Sequence, residues 1–254
     1  MNPTIDLNCD LGEGDDAAGA ALDRELLALV SSANIACGGH AGDERTMAVT
    51  VQAALERGVA LGAHPSYPGR ANFGRNSLPM PGAELERLLA QQIAVLDQIA
   101  RACGGRLAHV KPHGALYHDA MHNAEIADAV GRAAAQVDRG LCLVGRGGAP
   151  ALNWWRSAGL CVAAEAFADR RYESDGSLRA RRHADALLGE KEAVDQAVRI
   201  ARGWGVMARS NQLVPIAAAT ICLHSDTPGA VVIARAVRAA LGAGGIRIAS
   251  LTAH

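Results

Sequence analysis

Eight short apolar runs recur along the chain, each bounded by glycine, proline or a polar cluster and separated by longer stretches of helical patterning. They are IDLNC (5–9), NIAC (34–37), GVALGAH (58–64), RLAHVK (106–111), LCLVG (141–145), LCVAAE (160–165), ATICLH (219–224) and IRIAS (246–250). Runs this short that read as apolar on both faces suit buried parallel strands. Between them, Leu85, Leu88, Leu89, Ile93, Leu96 and Ile99 fall at helical spacing, predicting an amphipathic helix over 81–102. Asp43 suits the cap of a helix to 56, Asn123 of one to 137, and Thr227 of one whose first turn holds Pro228. Strand–helix alternation from end to end predicts a parallel α/β fold, and about eight strands suit a barrel as well as an open sheet. No linker, repeat or low-complexity segment interrupts the pattern, so 1–254 is expected to form a single domain.

Half of the residues are hydrophobic and the net charge is −1, which gives no basic surface for nucleic acid. No apolar run approaches the ~20 residues that span a bilayer. The start, MNPTIDLNCD, lacks the basic and apolar regions of a signal peptide, so a soluble, cytoplasmic protein is expected. None of the six cysteines forms a C-x-x-C pair, which favours reduced core thiols over disulfides or a thiolate zinc site. Cys9 and Cys37, beside polar strand ends, are minor candidates for a nucleophile.

Parallel α/β folds gather their active sites at the carboxyl ends of the strands. Here six strand ends carry polar residues: Asn8, Asp10 and Glu13; His40 and Asp43; His64; Lys111, His113 and Tyr117; Glu165, Asp169 and Arg170; His224 and Asp226. Asp43 reads more simply as a cap, and a lone histidine after a strand is usually a bonded loop residue. The opposite strand ends, ERGVAL and GGRLAH, lack the pattern, and that asymmetry points to a polar pocket. Carboxylates and imidazoles without thiolates suit either a divalent metal with open positions or general acid–base chemistry. Asp10, His64 and His113 would form an Asp-His-His metal set; alternatively the histidines bond substrate directly. Lys111, aimed by Pro112, suits a substrate carboxylate or a developing oxyanion. His109, on the same face as Lys111, is a lesser candidate. The chain has no G-x-S-x-G, no G-x-x-x-x-G-K-[ST] and no G-x-G-x-x-G, and GRGGAP (145–150) reads as a strand-to-helix turn. A nucleotide site would therefore be unconventional or lie on another chain.

The motifs IDLNCDLGEG, SSANIACGGHAGD, GVALGAHPSYPGRANFGR, HVKPHGALY, EAFADRRYESDGSL and TICLHSD, in this order over nearly the whole chain, resemble the LamB/YcsF family. The resemblance implies an irregular seven-stranded β/α barrel of the glycoside hydrolase/deacetylase type. It also implies the role of the A subunit in an ATP-hydrolysing 5-oxoprolinase. That enzyme opens 5-oxo-L-proline to L-glutamate coupled to hydrolysis of ATP to ADP and phosphate, with subunits B and C as separate chains. On the matching motifs it implies Asp10, Glu13, Lys111, His113 and Glu165 as catalytic. Asn8, His40, His64, Asp169, Arg170 and His224 would contact substrate. A divalent metal on Asp10, His64 and His113 follows from fold analogy alone. The chain departs from the family pattern at HSDTPGA (224–230), where HGDGPHA is usual, at Arg146, and at Asp185, where glycine is usual. These departures suggest an altered loop and leave two alternatives: a metal-dependent deacetylase or amidase for another small amide, or a substrate-binding non-catalytic subunit.

Overall fold

The computed structural model describes residues 3–251. Ten strands form: β1 (Thr4–Leu11), β2 (Ser32–Ala36), β3 (Ala60–His64), β4 (Leu107–Val110), β5 (Cys142–Arg146), β6 (Val162–Phe167), β7 (Val206–Met207), β8 (Leu213–Val214), β9 (Thr220–Leu223) and β10 (Arg247–Ile248). Eight helices accompany them: α1 (Ala17–Leu27), α2 (Glu44–Leu55), α3 (Gly82–Ala102), α4 (Gly114–His122), α5 (Ala124–Val137), α6 (Pro150–Ser157), α7 (Glu190–Ala201) and α8 (Ala230–Ala243). β1 to β6 pair in parallel in chain order, β6 pairs with β9, and β9 returns to β1. The ring is therefore a closed seven-stranded parallel barrel. The eighth expected strand, β10, pairs only with the start of β1 at Thr4 and Ile5, below the ring. The short antiparallel β7–β8 pair lies outside it.

Three helices start at a side-chain cap, Asp16 for α1, Asp43 for α2 and Asn123 for α5. Asp43 accepts from Thr46 N–H at 2.7 Å, and Asn123 accepts from Glu125 and Ile126 N–H. On α3, Leu85, Leu89, Ile93 and Leu96 are buried, and each such side chain contributes roughly 1.5–3 kcal/mol by leaving water. Thr227 does not cap α8. Its hydroxyl donates to Asp169 Oδ2 at 2.6 Å, and Gly229, at φ 75°, turns the chain into the helix. The left-handed turn in the HSDTPGA loop thus falls on a glycine, and neither Ser225 nor Thr227 has positive φ. GRGGAP forms the expected turn, with Pro150 opening α6.

The reading of strands apolar on both faces fails for the barrel interior. Outward side chains such as Leu7, Cys9, Ile35 and Leu143 join the apolar layer beneath the helices. Inward, Asp6, Asn8, Asp10, Ser32, Asn34, His64, His109, Glu165 and Thr220 are all buried. This is tolerable because they bond one another. Asp6 accepts from the hydroxyls of Ser31, Ser32 and Thr220 at 2.6–2.7 Å. His109 Nε2 lies 2.8 Å from Asn34 Oδ1, over Gly62, where any Cβ would come within 2.0 Å of the imidazole.

Candidate active site

The polar ladder ends at the carboxyl mouth of the barrel in an open cavity of about 530 Å3. At its floor stands Lys111, 3 % exposed. Its Nζ contacts Glu165 Oε1 at 2.9 Å, Asp10 Oδ1 at 3.0 Å and Asn8 Oδ1 at 3.3 Å, with Cys222 Sγ at 3.1 Å. Burial disfavours charge on both partners, yet the lysine holds Asp10 well below the usual carboxylate range and Asp10 holds Lys111 well above the usual amine range. Glu165 is fully buried and also accepts from Tyr117 Oη at 2.8 Å and Asn8 Nδ2 at 3.1 Å.

Above the floor, the end of β3 and the loops after β1, β2 and β4 bring His64, Glu13, His40 and His113 together, their ligand atoms all within 4.8 Å. His40 and His113 stack at 3.6 Å between centroids. The turn that aims His113 depends on Gly114, at φ 55°, where a Cβ would come within 2.6 Å of Gly74 O. Backbone carbonyls fix two of the tautomers. His64 Nδ1 lies 2.7 Å from Lys111 O and His113 Nε2 lies 2.9 Å from Phe73 O. A carbonyl only accepts, so both of those nitrogens carry hydrogen, and the lone pairs of His64 Nε2 and His113 Nδ1 face each other at 3.1 Å. Such a meeting requires a cation between them, a proton or a metal ion. In keeping with the proton, burial pulls the pKa of His64 down, but the charge and hydrogen bond of Asp10 together with the Glu13 charge leave it raised. Burial and neighbouring imidazoles lower His40 to about 3 and His113 to about 2. Burial and the Asp10 charge raise Glu13 to about 7, so its carboxyl exchanges protons near neutrality.

The metal-competent grouping differs from the expected Asp10, His64 and His113. Asp10 Oδ2 does lie 3.5 Å from His64 Nε2, but Glu13 and His40 complete the set with His64 and His113, and Asp10 groups with Cys222 and His224. His64 and His113 each donate their second ring nitrogen to a backbone carbonyl, the arrangement that orients imidazole ligands. His40 Nδ1 is buried without a partner. The donor set therefore fits a divalent ion.

Across the cavity, Asp169 accepts from Thr227 and from His224, whose backbone N–H and Nδ1 lie 3.2 and 2.9 Å away. Burial opposes its charge, but His224 and these bonds lower its pKa to about 2. His224 stacks on Phe167 at 5.4 Å. Buried Arg170 and exposed Arg181 and Arg182 also line the cavity, as does Arg75, which reaches Asp226 from the segment after β3.

Of the residues expected in the site, Asp10, Glu13, His64, Lys111, His113, Arg170 and His224 line the cavity. Asn8, His40, Glu165 and Asp169 stand behind that surface, because their polar atoms are directed at neighbours: Lys111 for Asn8 and Glu165, Glu13 for His40, and His224 for Asp169. His109 lies deeper still, and His118 is exposed at the rim. Sequence reasoning missed Asp6, Ser32, Asn34 and Thr220; the alternation Asp6-Asn8-Asp10 was the available signal for an inward polar face. It also missed Phe73, which holds a left-handed φ of 55° and supplies the carbonyl to His113. Non-glycine residues in that region carry strain and cluster at functional sites. Cys9 and Cys37 are buried and free, and burial raises both pKa values, to about 12 for Cys37, which disarms them as nucleophiles.

Fold and site together define a closed parallel β/α barrel whose carboxyl mouth holds an acid–base and imidazole cluster over a buried lysine. The chain belongs to the LamB/YcsF family, whose model matches residues 5–254. The 5-oxoprolinase A subunit of Methylococcus capsulatus (strain Bath) is 48 % identical over 252 residues, covering 99 % of this chain and 97 % of the relative. The crystal structure of a lactam utilization protein from Thermus thermophilus superposes with a TM-score of 0.91 at 38 % identity, covering 98 % of this chain and all of that one. A family 4 carbohydrate esterase from Streptomyces lividans shares the fold, with a TM-score of 0.51 at 13 % identity over 99 % of this chain and 94 % of that one. Among the described residues no helix is long and apolar enough to cross a membrane.

Proposed function

We propose that this chain is the lactam-opening subunit of an ATP-dependent 5-oxoprolinase, working with B and C subunits to convert 5-oxo-L-proline to L-glutamate. The names of its full-length relatives support the substrate. The observation that carries the chemistry is Glu13, poised near neutrality beside the His64–His113 pair and above an ionised Asp10.

Hydrolysis adds water across the C–N bond of the ring: oxygen to carbon, hydrogen to nitrogen. An unstrained lactam gains little free energy by opening, so coupling to ATP supplies the drive: ATP gives its γ-phosphoryl group to the amide oxygen and leaves as ADP, water adds to the carbon made electrophilic, the C–N bond breaks, and a second water releases phosphate from the resulting acyl phosphate. In this reading ionised Glu13 takes the proton of the attacking water, which a group titrating near 7 does well. His64, protonated on Nε2 by the pull of Asp10, returns a proton to the leaving nitrogen. Lys111 keeps Asp10 ionised and adds positive potential beneath the reacting oxygen. In place of the proton on His64 Nε2, Glu13, His40, His64 and His113 would hold a divalent ion, which polarises an amide oxygen and acidifies a bound water, and Glu13 and His64 would then serve as ligands rather than as base and acid.

The test is an ATP-dependent 5-oxoproline assay with and without B and C, on the native chain, Glu13→Gln and His113→Ala. Turnover should need all three subunits and collapse in both variants. Near-native turnover in both would remove the assignment. ATP-free release of acetate or ammonia from another amide would favour a stand-alone amidase.

A further inference from the structure

The cavity is larger than the proposed substrate requires. Its 530 Å3 lies within the ~300–1,000 Å3 of pockets for drug-sized ligands, whereas a five-membered lactam acid fills only part of it. The unfilled part is the outer wall, and that wall is cationic.

Arg170 follows β6 directly. It is 4 % exposed, and its Nη2 donates to Arg179 O at 2.7 Å, which fixes the guanidinium in place. Its Nε is buried without any acceptor. A buried guanidinium donor without an acceptor, on a residue that lines the cavity, costs free energy that a shift toward an accepting ligand would recover. Burial first, and then the Arg181 charge, lower its pKa, so a second guanidinium stands close by. Asp226 accepts from both Arg181, at 2.8 Å, and Arg75, at 3.0 Å, so one carboxylate serves two cations. Among the described residues neither Arg170 nor Arg182 is paired with a carboxylate. The wall thus keeps a surplus of positive charge even after Asp226 is counted, more than a single carboxylate would balance.

We infer that Arg170, Arg181 and Arg182 form a phosphate subsite, which takes the phosphoryl dianion of a phosphorylated amide beside the acid–base cluster. A tetrahedral dianion offers acceptor oxygens in several directions and matches planar guanidinium forks. The inference rests on the ATP-coupled reading above and deepens it. The chain carries none of the familiar phosphate-binding loops, so phosphate would arrive here on a small molecule or leave as inorganic phosphate rather than be cradled by a nucleotide loop.

Calorimetric titration of the full chain at low salt tests it, with inorganic phosphate, ATP and 5-oxo-L-proline as separate titrants. Native protein should bind inorganic phosphate, and Arg182→Ala and Arg170→Met should each weaken binding by about tenfold, the effect of losing one charge-assisted contact. Arg182 is exposed, so its variant decides the matter should the buried Arg170→Met fail the accompanying thermal melt. Tighter binding of ATP, lost in the same variants, upholds the subsite and makes a nucleotide the source of the phosphate. Phosphate binding that is absent, or equal in native protein and Arg182→Ala, overturns it. So does loss of 5-oxoproline affinity with phosphate affinity intact, which would make the wall a carboxylate clamp. Phosphate bound without 5-oxoproline keeps the subsite and removes the lactam reading; 5-oxoproline bound without phosphate does the reverse.

Discussion

On the side of the cavity built by β1 to β4, two carboxylates, a lysine and three imidazoles interlock, while the unpartnered Nδ1 atoms of His40 and His109 are buried behind the cavity surface. On the side built by β6 and the segment after it, joined by Arg75 from the loop after β3, four guanidinium groups have one carboxylate, Asp226, among them. Asp10, Lys111 and Glu165 interlock within 3.0 Å, and the imidazoles above them have tautomers set by backbone carbonyls. Opposite, Arg170 leaves its Nε open and Arg75 and Arg181 share Asp226. A network of interlocked ion pairs and imidazoles holds protonation states steady while charge moves, which suits bond making. An unsaturated one gains by closing on an incoming group, which suits recognition. The difference also predicts unequal responses to mutation.

The largest effect should come from Lys111→Met. Removing one partner of a buried ion pair leaves the other charge uncompensated, and here two carboxylates lose the same lysine. Denaturant unfolding should show a loss of about 3–5 kcal/mol. A change below about 1 kcal/mol would mean the floor is wetter than the geometry implies. Next, Glu13→Gln should lower turnover by roughly 10²–10⁴-fold with little effect on melting, and should erase the limb of the pH–rate profile near 7. A retained limb would move the base elsewhere.

Metal binding separates the two sides more gently. Dialysis with cobalt(II), followed by its visible spectrum, should report one tightly bound ion per chain, released protons on binding, and loss of the signal in His113→Ala but not in Arg182→Ala. Equal loss in both would dissolve the distinction.

Acid stability should follow the imidazole side. His40 and His113 are held neutral, with pKa values of about 3 and 2, so the unfolded chain binds more protons than the folded one below about 6.5. Stability should therefore fall as pH drops from about 6.5 toward 3. His64 has the opposite sign, and its contribution fades as pH rises through its raised pKa. Melting temperature against pH for the native chain and His40→Gln should display the acid slope and its reduction. The smallest effect belongs to the outer wall. Asp185 accepts from Arg179 at 2.6 Å and Arg209 at 3.2 Å, and Asp185→Gly should leave the melting temperature almost unchanged, as loss of exposed pairs does.

Asp185 and Arg146 also show what a sequence conveys and what it withholds. Both stood out as departures, but their positions alone gave no role. The structure ties each to the 171–188 segment: Arg146 Nη1 donates to Gly176 O at 2.8 Å, and Asp185 binds the arginines above. Seven barrel strands were legible because burial on the helix side demands apolar runs, and the polar strand ends were legible because they interrupt those runs. The interior ladder was not, since Asp6, Asn34 and Thr220 pair across the barrel with residues distant in sequence. The partners of the expected metal ligands were hidden for a related reason. Glu13 and His40 sit on different loops, and only the side-by-side pairing of β1 to β4 brings them to His64 and His113.

Closure of the ring has a temporal consequence. β1 pairs with β2, with β9 and with β10, so the first strand made waits for nearly the last. Thr220, bonded to both Asp6 and Asn8, belongs to the final stretch of chain. Contacts this distant in sequence slow folding and keep partially synthesised chains open. A nascent chain that already carries Asp10, His64, Lys111 and His113 therefore has the reacting groups without the vessel. The site comes into being only when the carboxyl-terminal strands seal the ring, which makes competence a property of the finished molecule.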